Sequence, residues 1–180
     1  MRRPSSGGGT GGGGVVLDGR ICPGTARGSC EVGHLIVDHR AGEWCDCGRR
    51  GCVQSLASGR AVLRRPAGLL GAEVGFDRLR QAWAAGEWWA TQTVHDSADA
   101  LAAAVGLGEL VHPEVVAVGG GFAAGLPGYV DAVARRAAEP ARPGRPARPD
   151  QAGPTRWHVL PGRCGPARTR HPCLTATPTA

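Results

Sequence analysis

The 180-residue sequence predicts an α/β fold, on three observations. Val115-Val116-Ala117-Val118 is an unbroken apolar run ending in glycines, as a buried parallel strand does where it hands over to a helix. Residues 76 to about 105 repeat their apolar positions at helical spacing. Two short apolar runs near the N-terminus flank Asp18-Gly19, the signature of a tight hairpin, because a type I′ turn needs positive φ at both central positions.

Ahead of that hairpin stands a glycine tract, Gly7 to Gly14, broken only by Thr10. Such tracts serve as flexible linkers. One that leads at once into a strand also suits a backbone-lined anion loop, since bare N–H groups approach phosphate only where side chains are absent. Both readings stand at this point, and Gly11, Gly12 and Gly13 are the candidate phosphate contacts.

Next comes the densest chemistry in the chain. His34, Cys45, Cys47 and Cys52 fall within nineteen residues, spaced H-x10-C-x-C-x4-C. One imidazole and three thiols form a standard ligand set for tetrahedral structural zinc, because thiolate and neutral imidazole suit a borderline-soft d10 ion. Gly48 and Gly51 lie between the last two thiols, where the chain must turn tightly. Asp38 and Asp46 flank the ligands as outer partners or as exposed loop carboxylates. His39, His95 and His112 read as surface or capping residues, and Cys22, Cys30, Cys164 and Cys173 lack ligand spacing.

Residues 52–63 have helical character, with an interruption expected near Pro66. An amphipathic helix over 76–86 places Phe76, Leu79 and Trp83 on one face. A longer alanine-rich helix from about Glu87 to Val105 carries Trp88, Val94 and Leu101, whose expected role is core packing. The strand at 115–118 leads through Gly119-Gly120-Gly121 into a helix at about 126–138. Ligands of α/β sheets bind at such strand ends, which makes the triplet a candidate cofactor contact.

From Glu139 the character changes. Arginine, proline and alanine dominate, neither structural period is present, and residues 139–180 read as a disordered tail. GC-rich DNA translated out of frame gives this same mix. All 21 basic residues of the chain are arginine, itself a mark of GC-rich coding.

Composition excludes several function classes. The formal net charge is +6, but nine arginines fall in the last 46 residues and residues 1–134 are close to neutral. No nucleic-acid partner is expected from that distribution. No stretch approaches the roughly 18 apolar residues of a membrane span, and no hydrophobic leader follows Arg2 and Arg3. Seven cysteines, three of them apparent metal thiolates, point to a reducing cytoplasm. No nucleophile-elbow serine is present.

Glu31-Val-Gly-His34, Cys45-x-Cys47-Gly-x-x-Gly-Cys52 and Ala57-Ser58-Gly59-Arg60 occur in that order. Together they resemble the zinc-binding core of the ROK family, which comprises bacterial sugar kinases, related repressors and uncharacterised members. The resemblance covers roughly residues 7 to 133. It implies most of the second lobe of an RNase H-like, actin-like sugar kinase over residues 1–138, with a zinc-binding loop. It also implies ATP-dependent phosphorylation of glucose or an N-acetylhexosamine, with ATP and magnesium as cosubstrates, a structural zinc, and a possible homodimer.

Under that resemblance His34 binds zinc and also contacts the sugar, Glu31 accepts hydrogen bonds from sugar hydroxyls, and Gly119–Gly121 lie beside the adenosine. Family kinases usually carry glutamate two places after the last zinc cysteine. This chain has Gln54, which keeps an acceptor, loses the charge and adds a donor. The family's glycine loop has its threonine one place away from Thr10. Its catalytic aspartate lies in an Asn-Asp-type motif, and its first phosphate loop contains lysine. The chain has no asparagine and no lysine, so an expectation follows of a sugar- and zinc-binding part without a catalytic residue. The alternative class is a fragment of a ROK-type sugar-responsive repressor.

Overall fold

The computed structural model describes residues 13, 15–17, 20–22, 31–40, 42–108, 113–138 and 156–160. Strands β1 (Val15–Leu17) and β2 (Arg20–Cys22) pair antiparallel, with Leu17 opposite Arg20. That register is the one the expected hairpin requires; Asp18 and Gly19 themselves lie outside the described residues. A 3-10 turn, η1 (Val32–His34), leads into the cysteine loop, and α1 (Val53–Ala57) follows directly.

The break in this helical stretch falls at Ser58, eight residues before Pro66. Ser58 is extended (ψ 147°), and its hydroxyl accepts a 3.3 Å bond from the Ala61 amide to cap α2 (Gly59–Leu70). Helix α2 then runs through the buried Pro66 without ending, correcting the expected interruption. The proline's missing N–H costs one intrahelical bond, and its burial offsets part of that cost. Gly71, left-handed at φ 70°, closes the helix by bonding back to Ala67.

Helices α3 (Phe76–Ala84) and α4 (Trp88–Gly108) match the expected periodicity, and α4 is the spine of the core. Its buried positions include Ala90, Thr93, Val94, Ser97, Ala98 and Ala102, mostly small residues that let other helices approach closely. Trp88 is not among them: it is 63% exposed, whereas Trp89 is only 3% exposed. One residue turns the helix by about 100° and swaps the faces. Against α4 pack Val62 of α2, Leu79 and Ala82 of α3, and Tyr129, Val130 and Val133 of α6 (Tyr129–Ala138). Buried Ser97 and Tyr129 share a 2.8 Å hydrogen bond, and Arg136 reaches Asp99 at 3.0 Å.

Strand β3 (Val115–Gly119) pairs in parallel with β4 (Arg156–Leu160), Val115 opposite Arg156. A short helix α5 (Gly121–Gly125) precedes α6. Two differences from the sequence reading follow. Strand β3 alternates exposed and half-buried residues instead of being buried throughout: Val118 packs against the core cluster, while Val115, Ala117 and Gly119 stay exposed. And β4 lies inside the segment read as a disordered tail: Arg156-Trp157-His158-Val159 alternates polar and apolar residues, a strand signal hidden by the arginine–proline–alanine composition around it. The rest of residues 139–180 lies outside the described residues.

Candidate metal centre and ligand-facing residues

Backbone pairing builds the cysteine loop. Ile36 bridges Cys52 and Trp44 bridges Arg50, both antiparallel. The Cys45 amide donates to Arg49 O at 2.8 Å and the Gly48 amide to Cys45 O at 2.9 Å, closing a knuckle around Cys45 and Cys47. Gly48 sits at φ 83° in open space. Gly51 is more constrained: it is left-handed at φ 71°, and any Cβ there would overlap the Asp38 carbonyl. The Val37 and Asp38 amides both donate to Gly51 O, at 2.8 and 3.2 Å. This crossing returns Cys52 beneath the knuckle. Arg50 stacks on the Trp44 ring, 5.3 Å from its centroid, and donates to Gly42 O at 3.1 Å.

The result brings together the four expected ligands, whose donor atoms all lie within 4.8 Å of one another. His34 Nδ1 is 3.6 Å from Cys45 Sγ, and Cys47 Sγ is 3.6 Å from Cys52 Sγ. In a tetrahedral site with Zn–S of about 2.3 Å and Zn–N of about 2.0 Å, the ligand edges are about 3.8 Å for S···S and 3.5 Å for S···N. The donor set and both close distances therefore fit zinc. Nδ1 is the nitrogen turned to the thiols, and Nε2 faces the Glu31 carboxylate at 3.6 Å.

Cys47 and Cys52 differ electrostatically. A hydrogen bond from the Arg49 side chain holds exposed Cys47 down at about 6, so it is mostly thiolate at neutral pH. Burial pushes the Cys52 thiol up to about 12. A cation at the centre would reverse that penalty, because a coordinated thiol is deprotonated outright. Arg49 is a functional neighbour that the ligand spacing alone does not reveal.

The other expected site residues are placed as follows. Glu31 is exposed beside His34, and Gln54 is half-buried two residues beyond Cys52. Gly13 lies against the 3-10 turn that carries His34: a Cβ there would stand 2.8 Å from the Cβ of Val32. Gly11 and Gly12 lie outside the described residues. Gly119 ends β3, Gly120 (φ 104°) caps α5 and Gly121 begins it, and a Cβ at Gly120 or Gly121 would meet nothing within 4 Å. Asp38 Oδ1 accepts the Arg40 amide at 3.2 Å, and Asp46 is exposed. His39 is exposed and the His95 ring packs on Trp83; His112, Cys30, Cys164 and Cys173 lie outside the described residues.

A family model described as "ROK family" matches residues 7–149. The chain belongs to the ROK family. It is 57% identical over 127 residues to a kanosamine kinase of Amycolatopsis mediterranei (strain S699), covering 69% of this chain and 42% of that one. Among solved structures it resembles a ROK hexokinase from Thermus thermophilus (TM-score 0.66, 29% identity, 86% of this chain and 49% of that one). It also resembles a ROK glucokinase from Streptomyces griseus in complex with glucose and AMPPNP (TM-score 0.63, 21% identity, 82% and 51%). This ROK chain thus spans about half the length of these proteins or less, and its fold is part of the actin-like kinase fold. Among the described residues, no helix is long and apolar enough to cross a membrane.

Proposed function

We propose that this ROK chain is the sugar- and zinc-binding part of an ATP-dependent hexose kinase acting on glucose or an amino- or N-acetylaminohexose. The observation that carries the reading is the juxtaposition of Glu31, His34 and the three thiols in one small structure. The 57% identity to a kanosamine kinase supports a kinase over a repressor origin and adds an amino sugar to the candidate substrates.

In this reading His34 Nδ1 and the thiolates of Cys45, Cys47 and Cys52 hold the metal. Bound zinc supplies a fixed double positive charge that stiffens the loop, and no chemistry on the sugar. His34 Nε2 and the Glu31 carboxylate then face the same side, and the carboxylate accepts hydrogen bonds from sugar hydroxyls. Gln54 supplies one amide donor and one acceptor, so it pairs with a hydroxyl, or with an N-acetyl carbonyl, without demanding a charge. Amides of Gly11–Gly13 take phosphate oxygens, and Gly119–Gly121 let the nucleoside approach bare backbone. Deprotonating the acceptor hydroxyl requires a positioned base, and the family's Asn-Asp-type motif cannot be written without asparagine. We therefore propose that these 180 residues bind but do not turn over.

The test is calorimetry on the zinc-loaded chain with kanosamine, glucose, N-acetylglucosamine and N-acetylmannosamine, beside a phosphotransfer assay with ATP and magnesium. The reading holds if at least one sugar binds in the presence of zinc and loses affinity on chelation. Phosphorylation of any sugar above a zinc-chelated control removes the inactivity part. Zinc binding with no sugar response reduces the site to a plain metal module.

A further inference from the structure

The described structure links the cysteine segment to the glycine triplet through one aromatic ring. Phe122 follows Gly121 and opens onto Gly59, the first residue of α2; a Cβ added at Gly59 would lie 3.3 Å from Phe122 Cδ2 and 3.5 Å from its Cβ. Two other rings hold it edge-on. Phe76 stands at 5.6 Å between centroids with a 65° interplanar angle, and Tyr129 at 5.3 Å with 89°. Neither partner is loose. A Cβ at Gly125 would already meet Phe76 Cζ at 2.9 Å, and Tyr129 is tied to Ser97.

A ring held on three sides passes displacement to whatever is softest beside it. Here that is the backbone at Gly120 and Gly121, the first at φ 104°, where a Cβ at either would meet nothing within 4 Å. The other side of the contact is stiff. Gly59 is locked by the Ser58 cap, the Ser58 amide bonds to Gln54 O at 3.3 Å, and α1 starts immediately after Cys52.

We propose that Phe122, seated on Gly59, is the positioning residue that sets the glycine triplet relative to the segment carrying Cys52 and Gln54. In the kinase this contact fixes the nucleoside's place against that of the sugar. The inference rests on the reading of Gly119–Gly121 as nucleotide-facing.

The test uses the full zinc-loaded chain and three variants: Gly59→Val, Phe122→Leu and the pair combined. Backbone amide resonances of Gly119–Gly121 report the triplet's position, and titration with magnesium ADP reports its use. Zinc per chain and the melting temperature are recorded for each variant as controls on folding. Gly59→Val is expected to move the triplet resonances and weaken ADP binding by about tenfold, at unchanged zinc stoichiometry. Adding Phe122→Leu, whose side chain is shorter, is expected to restore both.

Triplet resonances that stay in place in zinc-bound Gly59→Val overturn the proposal, as does failure of Phe122→Leu to restore them. If Gly59→Val does not fold, Gly59→Ala decides in the same way, since its methyl already presses on the ring. Absence of ADP binding by the unaltered chain defeats the nucleotide reading, and the resonances alone then decide this one.

Discussion

Nε2 of His34 lies 3.6 Å from Oε2 of Glu31, three residues upstream, while Nδ1 of the same ring faces the thiol of Cys45. One imidazole thus joins the metal cluster to the residue expected to face the sugar. A carboxylate facing the far nitrogen of a ligating imidazole holds the orientation of the ring. Glu31→Ala is expected to weaken zinc binding by roughly tenfold, measured against a chromophoric chelator, besides lowering sugar affinity. Unchanged zinc affinity in that variant would show that the contact does not orient the ring.

The two left-handed glycines of the loop differ in kind. At Gly48 a methyl group meets only open space, so Gly48→Ala carries the left-handed backbone cost, about 1–2 kcal/mol. At Gly51 the methyl would run into the Asp38 carbonyl and spread the crossing that carries Cys52. Gly51→Ala is expected to abolish stoichiometric zinc binding while Gly48→Ala retains it. Metal content by mass spectrometry separates the two, and equal zinc in both would refute the distinction.

Removing the metal should loosen the whole chain, because Cys52 is also the residue at which α1 begins. Free zinc at a thousand times its Kd adds about 4 kcal/mol to the folded state. A strong chelator should therefore lower the melting temperature of the native chain and leave that of Cys52→Ser unmoved. A chelator effect in Cys52→Ser would place the metal elsewhere.

Burial raises the Tyr129 phenol above its ordinary value, with the Ser97 bond and the charge of Arg65 opposing. The unfolded chain therefore loses that proton first. The stability this group contributes is complete below about pH 10 and is lost as pH rises through the folded value. Tyr129→Phe should flatten the alkaline limb of a stability profile, while costing about 1 kcal/mol at neutral pH because Ser97 loses its partner. An alkaline limb as steep as that of the unaltered chain would remove Tyr129 as its source.

Glu87 works at the other end of the scale. Hydrogen bonds from Arg78, at 2.7 and 2.8 Å, and from the Trp89 indole hold its carboxyl below the ordinary value. Its contribution is present above the unfolded carboxyl's pKa and disappears as pH falls through the folded one. Acid melting of Glu87→Gln should show a shallower dependence on pH; an identical slope would count against the contact.

Local information made much of this legible. The four ligands are close in sequence and ligand chemistry is specific, so spacing alone collected His34, Cys45, Cys47 and Cys52. Asp18-Gly19 announced its hairpin for the same reason, and Phe76, Leu79 and Trp83 announced α3 through one helical face. What escaped depends on distant partners or on a single rotation. Trp88 and Trp89 are alike in sequence, and only the packing of α4 decides which is buried. Pro66 looked like a stop, but a cap at Ser58 had already begun a new helix whose burial carries it past the proline. Strand β4 carries only a four-residue alternation inside a low-complexity segment, and Phe122 on Gly59 joins residues that no local rule connects.

The pairing of β3 with β4 has a consequence for the order of assembly. Helices α1 to α3 pack on α4 and can form with it while the chain is still being synthesised, although the face of α4 that Tyr129, Val130 and Val133 cover waits for α6. Strand β3 must wait until α5, α6 and the segment beyond them have left the ribosome. During that interval the backbone edge that β4 later covers is available to any other chain. A polypeptide stopped before Arg156 would never leave that state, and inclusion bodies rather than a smaller soluble domain are the outcome to expect from it.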